Sequence, residues 1–358
     1  MMMELTPFLK KIISLPGLSG YETPVREALT EVWKPWVDEL VVSRLGSLHA
    51  LRKGQAAEPR PRILIATHMD TIGLMATMVV EGFVRFTEVG GIDPRILPGQ
   101  RVVIHGRKPL PGVIAQPPQH TLPPEEQGGA VALKHLLVDT GLLPAEVNRL
   151  VRPGDLISFD QPPIELAGET LAGRYLDNRA SVAAVTLCLE ELQHIRHDWD
   201  VWVVATVQEE ETLAGAMTSA FEIRPTLAVA IDVTFAKGPG ATDYRTHPLG
   251  KGLTLGWGPN IHPAVHQSFK DLCEQLDIPY HLEVMPRHSG TDAYGMQVVA
   301  EGIPSMVVSI PLRYMHTPVE LVSLKDIQRT AHLLAQFISR LTPDFVDKMR
   351  WEKDLIVP

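Results

Sequence analysis

One stretch of the chain decides the fold class: residues 200–232 read DVWVVATVQEEETLAGAMTSAFEIRPTLAVAID. The apolar run over residues 200–207 predicts a buried strand, and small residues over 214–220 predict a short helix. A second apolar run, residues 227–232, predicts another strand. Strands that alternate with helices are typical of an open α/β sheet with helices on both faces.

The alternation continues on both sides of this stretch. Leu5, Phe8, Leu9 and Ile12 have the spacing of one helix face. Ser19 and Glu22 form a capping-box pattern at the start of the next predicted helix. We predict further helices over residues 21–33, 180–194, 263–276 and 324–341, and strands over residues 39–43, 47–52, 63–67, 280–284 and 305–310.

The segment after Gly73 has a different pattern. Short β-type runs separated by Gly and Pro turns predict strands over residues 84–87, 101–104, 112–115 and 155–159, with one helical segment over 128–137. We therefore predict a small β-rich domain, residues 74–164, inserted into an α/β domain formed by residues 1–73 and 165–358.

Composition restricts the class of protein. The chain has 358 residues, is 45% hydrophobic and 21% charged, and carries a formal net charge of -9. These values are typical of a soluble globular protein, and the absence of a basic stripe argues against nucleic-acid or membrane partners. No apolar stretch suits a membrane span or a signal peptide. Cys188 and Cys273 lie among apolar neighbours, which favours reduced core residues and a cytoplasmic location.

Acids and histidines occur where the predicted strands stop. Functional groups of open α/β sheets gather beyond the carboxyl ends of their strands, so we expect these side chains to meet. Taken singly, each has an ordinary explanation: Asp232 as a turn residue or cap, and the acidic triplet 209–211 as a solvated loop. The candidate set is His68, Asp177, Glu209, Glu210, Asp232 and His316.

Mixed His and carboxylate ligands suit Zn²⁺, Co²⁺ or Mn²⁺ better than Mg²⁺ or Ca²⁺. Two metals need about one His and one terminal carboxylate each, plus a shared carboxylate. The candidate set meets this need and leaves one acid for proton transfer. Asp70, two residues after His68, is placed to accept the second imidazole N–H.

Six strings now resemble a known family. They come in the order that the tetrahedral (glutamyl, leucyl, lysyl and deblocking) aminopeptidases have, a family that binds two metals, and the match runs over about residues 5–341. The strings are Gly17-Leu18-Ser19-Gly20-Tyr21-Glu22, Thr67-His68-Met69-Asp70-Thr71-Ile72-Gly73, Leu176-Asp177-Asn178-Arg179, Gln208-Glu209-Glu210, Gly290-Thr291-Asp292-Ala293 and Arg313-Tyr314-Met315-His316-Thr317-Pro318-Val319-Glu320.

The resemblance implies a role for each candidate. Asp177 would bridge two metals, preceding a cis peptide bond to Asn178. Glu209 would be the general base, and Asp70 would orient the first ligand His. The remaining ligands would complete two sites: His68 with Glu210, and Asp232 with His316. Three positions depart from the family pattern without being ligands: Thr71, Glu211 and Thr212.

The implied fold is zinc-peptidase-like, with residues 74–164 as a PDZ-like dimerisation domain. The implied function is a metal-dependent aminopeptidase that removes the N-terminal residue of peptides with a free N-terminus, through a water activated by two divalent metals, Zn²⁺ or Co²⁺. Dimers would build a hollow dodecamer. An acid-selective pocket would need a cation, which Arg245 or Arg287 could supply.

Three alternatives stay open. A related dinuclear carboxypeptidase or amide deacylase would use the same ligands, but in those enzymes the extra domain follows the paired acids. Here the β-rich segment lies between His68 and Asp177, which favours the aminopeptidase. A catalytically silent assembly protein would lack a ligand, and the sequence retains them all. Glycoside hydrolysis through paired acids would leave the histidines without a role.

Overall fold

The structure, a computed structural model, describes residues 3–350, so the ends of the predicted α/β domain, residues 1–2 and 351–358, lie outside it. The α-helices are α1 Leu5–Ser14, α2 Thr23–Trp33, α3 Pro144–Leu150, α4 Leu176–Glu191, α5 Glu209–Thr212, α6 Ala214–Ile223, α7 Pro263–Gln275, α8 Asp292–Gln297, α9 Leu324–Ser339 and α10 Phe345–Lys348. No helix within this range is long and apolar enough to cross a membrane.

The strands follow in chain order. They are β1 Glu39–Val42, β2 Leu48–Arg52, β3 Arg62–His68, β4 Gly73–Val80, β5 Phe83–Val89, β6 Arg101–His105, β7 Pro109–Ala115, β8 Leu137–Asp139, β9 Leu156–Phe159, β10 Ile164–Leu166, β11 Thr170–Gly173, β12 Asp200–Thr206, β13 Leu227–Phe235, β14 Leu253–Trp257, β15 Tyr280–Val284, β16 Ser305–Arg313 and β17 Glu320–Ser323.

One large mixed sheet forms the body of the molecule. Its order is β1-β2-β12-β3-β13-β16-β17-β11-β10, with β14 joined to β16 and β15 to β14. The four central strands, β12, β3, β13 and β16, run parallel. Their residues are buried almost without interruption, as expected when helices cover both faces of a parallel sheet. The predicted α/β class is confirmed.

The inserted segment closes on itself. Strands β4-β5-β8-β7-β6-β9 form a six-stranded barrel with its own apolar core, which includes Leu74, Val84 and Ile104. The prediction of a β-rich insertion is therefore confirmed. The helix predicted over residues 128–137 is wrong. Only one 3-10 turn, Leu133–His135, forms in this range: Gly128 has a positive φ of 90°, which does not start a helix, and strand β8 begins at Leu137.

Several local predictions need correction. Strand β14 was not predicted, because Gly252 and Gly256 break up its short apolar run; the strand pairs with β15 on one side and with β16 on the other. Strand β4 and helix α8 were also missed. The Ser19 capping box is wrong: α2 begins at Thr23, and the Glu22 carboxylate turns away to accept from the N–H groups of Gly20 and Gln208.

Candidate metal centre

The central strands bring four of the candidates to one place. His68 is the last residue of β3, which lies between β12 and β13. Glu209 and Glu210 begin α5, directly after β12. Asp232 lies inside β13 rather than at its end, because that strand runs on to Phe235. Parallel strands that end at the same edge bring these residues together.

Asp177 does not follow a central strand but lies at the start of helix α4. Asp177 and Asn178 have non-helical backbone angles, and the peptide between them is cis, as the resemblance implied. The Asn178 amide donates to the carbonyl of Ile231 at 2.9 Å, so the turn is fixed to β13 next to Asp232. This attachment presents the Asp177 carboxylate to the sheet edge.

Two imidazoles face the carboxylates. His68 Nε2 lies 3.2 Å from Asp177 Oδ1, 3.7 Å from Asp232 Oδ1 and 3.8 Å from Glu209 Oε2. His316 Nε2 lies 3.4 Å from Asp177 Oδ2 and 3.3 Å from Glu210 Oε2. Asp177 thus offers one oxygen to each imidazole. All six candidates converge, and His316 neighbours Glu210 rather than Asp232.

The carboxylates are crowded and poorly solvated. Burial raises the pKa of Glu209, Glu210 and Asp232 above their ordinary values. Asp177 differs: although burial opposes it, hydrogen bonds from the two imidazoles hold its pKa well below the usual range. The same contacts raise the pKa of His316 to about 11 against the effect of burial. Protein groups alone therefore leave three of the four acids weakly stabilised as anions.

These residues fit divalent cations. Two groups have ligand atoms that all lie within 4.8 Å of one another: His68, Glu209 and Asp232, and His68, Asp177 and Glu210. The second carboxylate oxygen of Glu210, Oε1, is buried and accepts no hydrogen bond within the described part of the chain. Nitrogen and carboxylate donors at such spacing match the preference of Zn²⁺ and similar ions.

Comparison with known proteins identifies the class. A family model described as M42 glutamyl aminopeptidase matches residues 46–333. The chain belongs to the M42 glutamyl aminopeptidase family. The lysyl aminopeptidase of Pyrococcus furiosus is 35% identical to it over 94% of this chain and 97% of the relative. The predicted metal-dependent aminopeptidase, a peptide hydrolase, is thereby confirmed.

Solved structures of M42-like fold agree. The TET aminopeptidase of a marine-sediment Thaumarchaeota archaeon superposes with a TM-score of 0.91 at 31% identity, covering 97% of this chain and 99% of that one. The TET1 peptidase of Pyrococcus horikoshii superposes at 0.82 with 30% identity, covering 94% and 100%. That relative can assemble into a tetrahedron or a large octahedral shell.

Asp70 of this M42 member supports both imidazole and acids. Its carboxylate accepts from the N–H groups of Glu209 at 3.0 Å and Glu210 at 3.2 Å. His68 Nδ1 lies 3.2 Å from the Asp70 carbonyl oxygen and 3.5 Å from its carboxylate. The backbone carbonyl is therefore the nearer acceptor for the ring. The carboxylate mainly fixes the loop that carries the paired acids.

Sequence reasoning gave no role to Glu320, which is buried at the centre of the M42 site. Its Oε2 accepts from the N–H of Asp177 and its Oε1 from the N–H of His316, both at 2.9 Å. It thus holds the backbone of two candidate ligands at once. The sequence signal was present, since Glu320 ends the string that begins at Arg313, but spacing alone did not show what it contacts.

The barrel also reaches the site. His316 Nδ1 lies 2.7 Å from the carbonyl oxygen of Gly91, so that carbonyl fixes the ring with Nε2 toward the carboxylates. The carboxylate of Glu211 accepts from the N–H of Gly90 at 2.6 Å. Glu211, which departs from the family pattern, therefore attaches the inserted barrel domain next to the candidate metal centre. Thr71, the other departure, is buried and donates to the Gly17 carbonyl.

An open cleft of about 1030 Å³ leads to the centre. The candidate ligands form its floor, and loops after β13 and β15 form its outer wall. Arg245 and Arg287 both line this wall, as an acid-selective pocket would require, and both are exposed. Arg245 is already paired with Asp243, from Nη2 to Oδ2, at 2.7 Å. The cleft is wide enough for an extended peptide end.

Proposed function

We propose that this M42 aminopeptidase binds two divalent metals, Zn²⁺ or Co²⁺, through five ligands. Asp177 would be shared by both ions, His68 and Asp232 would complete one site, and Glu210 and His316 would complete the other. The contact distances support this grouping, which differs from the one implied by the resemblance. The position of Asp177 between two imidazoles carries the proposal.

When bound, the metals would polarise the scissile carbonyl and lower the pKa of a water. Glu209 acts as general base: its carboxylate takes a proton from the attacking water and returns it to the leaving amine. Asp70 fixes the Glu209 backbone, so the carboxylate is aimed before substrate arrives. Burial of Glu209 favours proton uptake because it disfavours the anion.

The substrates are peptides with a free N-terminus. The terminal amino group would donate to a carboxylate at the centre, and this contact would place the first peptide bond next to Glu209. An acylated N-terminus would present an amide instead of an amino group and would lose this contact. The wide cleft accommodates the rest of the peptide.

We further propose that residues 74–164 form a PDZ-like dimerisation domain and that dimers build a dodecamer. This proposal is supported by the separate core of the barrel and by the shells that TET1 peptidase forms. The other domain would consist of residues 1–73 and 165–358 and carry the catalysis. A cytoplasmic location is supported by the two buried free thiols, Cys188 and Cys273.

The test compares unblocked aminoacyl nitroanilides with N-acetylated and cellulosic substrates, before and after chelation. We expect hydrolysis of the unblocked substrates alone, its loss with chelator, and its recovery with Zn²⁺ or Co²⁺. Hydrolysis of the N-acetylated substrates at a similar rate would contradict the proposed role of the free N-terminus. Undiminished activity after complete metal removal would contradict the metal centre.

A further inference from the structure

One carboxylate in the cleft takes no part in the proposed hydrolysis. Glu283, near the end of β15, is half-buried and lines the cleft wall. Its Oε1 accepts from the hydroxyl of Thr234 at 2.5 Å, and its Oε2 accepts from the hydroxyl of Thr254 at 2.6 Å. Within residues 3–350, no Lys, Arg or His forms an ion pair with it. The carboxylate is thus held in place by neutral hydroxyl donors; His247 is close enough to interact with its charge, but burial lowers the pKa of that imidazole.

The sheet sets the distance of this carboxylate from the centre. Thr234 follows Asp232 by two residues on β13, so both side chains point to the same face, about 7 Å apart along the strand. Ser309, on β16, lies opposite Asp232 of β13 on one side and opposite Thr254 of β14 on the other. The Glu283 carboxylate, which is bonded to Thr234, therefore lies on the same face of the sheet as the candidate ligand Asp232.

The surroundings add a further polar group. Ser309 also lines the cleft, and its buried hydroxyl has no hydrogen-bond partner within residues 3–350. Each Glu283 oxygen accepts one hydrogen bond and keeps another acceptor position free. A group with several N–H donors would satisfy these free acceptor positions.

We propose that Glu283 binds the cationic side chain of the substrate's first residue, so that the enzyme prefers peptides that begin with Lys or Arg. The four-carbon stem of Lys, or the guanidinium of Arg, spans the distance from a first residue at the centre to this carboxylate. The ammonium or guanidinium then donates to Glu283 Oε1 and Oε2. This inference rests on the aminopeptidase function proposed above.

The cations of the cleft do not offer an equivalent site for acidic side chains. Arg245 is highly exposed and already bound to Asp243 through Nε at 2.9 Å and Nη2 at 2.7 Å. Arg287 is exposed, and its side chain has no hydrogen-bond or ion-pair partner within residues 3–350. Glu283, by contrast, is fixed and would repel a carboxylate. We therefore expect the enzyme to prefer a basic rather than an acidic first residue in its peptide substrates.

The experiment measures kcat/KM for lysyl, arginyl, leucyl and glutamyl nitroanilides with the metal-reconstituted enzyme and a Glu283→Gln variant. The variant keeps an acceptor for a Thr hydroxyl but removes the charge. We expect the wild type to favour Lys and Arg. In the variant, kcat/KM for both should fall about 10- to 100-fold, mainly through KM, while the leucyl substrate changes little.

Glu274→Gln is the matched control. Glu274 also accepts from a hydroxyl, that of Tyr280, but it lies outside the cleft, so this variant should match the wild type on every substrate. An equal loss on lysyl and leucyl substrates in Glu283→Gln, or a wild type that favours Glu or Leu, would overturn the proposed preference alone. A wild type that hydrolyses no aminoacyl nitroanilide would overturn the aminopeptidase proposal as well.

Discussion

The carboxylate of Asp70 accepts a hydrogen bond from the backbone N–H of Glu209 at 3.0 Å, across 139 positions of the chain. The same carboxylate accepts from the N–H of Glu210. The turn after β3 thereby fixes the first residues after β12. Buried Glu320 does the same for Asp177 and His316. Two buried carboxylates thus hold the backbone of four candidate site residues.

Glu209→Gln should keep the metal ions and lose most turnover. The amide retains the shape of the carboxylate but cannot accept a proton, so kcat should fall about 10²- to 10⁴-fold. Metal analysis and nitroanilide kinetics on the same preparation check this. Glu211→Gln is the control, because the amide oxygen can still accept from Gly90. A Glu209→Gln variant with full activity would refute the general base.

Asp70→Asn should weaken metal retention. One of its two carboxylate acceptors becomes a donor, which loosens the loop of Glu209 and Glu210. Loss of such a supporting contact typically lowers metal affinity or activity about 10- to 100-fold. Chelator competition measures the affinity. Unchanged affinity together with unchanged kinetics would mean that the loop does not depend on Asp70.

Asp177→Ala should lose both metals, whereas Asp232→Ala should keep one. Asp177 contacts both imidazoles, but Asp232 contacts only His68 among the histidines of the site. Elemental analysis after dialysis against metal-free buffer gives the stoichiometry. Two retained metals in Asp177→Ala would remove the bridging role. Retention of none in Asp232→Ala would indicate that the two sites fill together.

Glu22→Gln should flatten the pH dependence of stability. Burial, with the charge of Asp70, raises the pKa of Glu22 to about 7 from 4.5. Below pH 4.5 the group is protonated in both states and contributes no pH dependence. As pH rises toward 7 the unfolded chain ionises first, so the folded state loses roughly 1–3 kcal/mol. Both backbone bonds end on Oε1, which the amide preserves.

Urea unfolding of wild type and Glu22→Gln at several pH values, with saturating metal, measures this effect as the difference between their free energies of unfolding at each pH. The variant should gain stability over the wild type between pH 5 and 8, and the gain should vanish near pH 4. A difference that stays constant with pH would show that Glu22 does not titrate in this range.

Arg179→Ala should destabilise the fold by about 3 kcal/mol. Arg179 is fully buried, and its Nη1 donates to the carbonyls of Ile12 and Leu15 at 2.5 Å each, joining the end of α1 to α4. Its removal leaves the Leu15 carbonyl without this donor and leaves the Ile12 carbonyl with only the Leu15 N–H, at 3.3 Å. Exposed Arg95, paired with Asp93, is the control and should cost less than about 1 kcal/mol. Equal denaturation midpoints for the two variants would contradict the prediction.

The sequence predicted the central elements well, because their signals are local. The strand predicted over 200–207 is β12, Asp200–Thr206, and the helix predicted over 263–276 is α7, Pro263–Gln275. Apolar runs and helical spacing determine such elements wherever they are buried. Prediction failed at β14 and over residues 128–137, where glycines obscured the pattern or where pairing with distant strands decided the outcome.

The sequence by itself determined the candidates of the centre, since strand ends and residue chemistry are local properties, and the order of motifs determined the family. Only the tertiary structure decided their grouping, because His68, Asp177 and His316 meet through sheet register and not through spacing. It also showed the contacts of Glu320, Gly91 and Glu283. Their contacts join residues far apart in the chain, and a periodic pattern carries no information about such contacts.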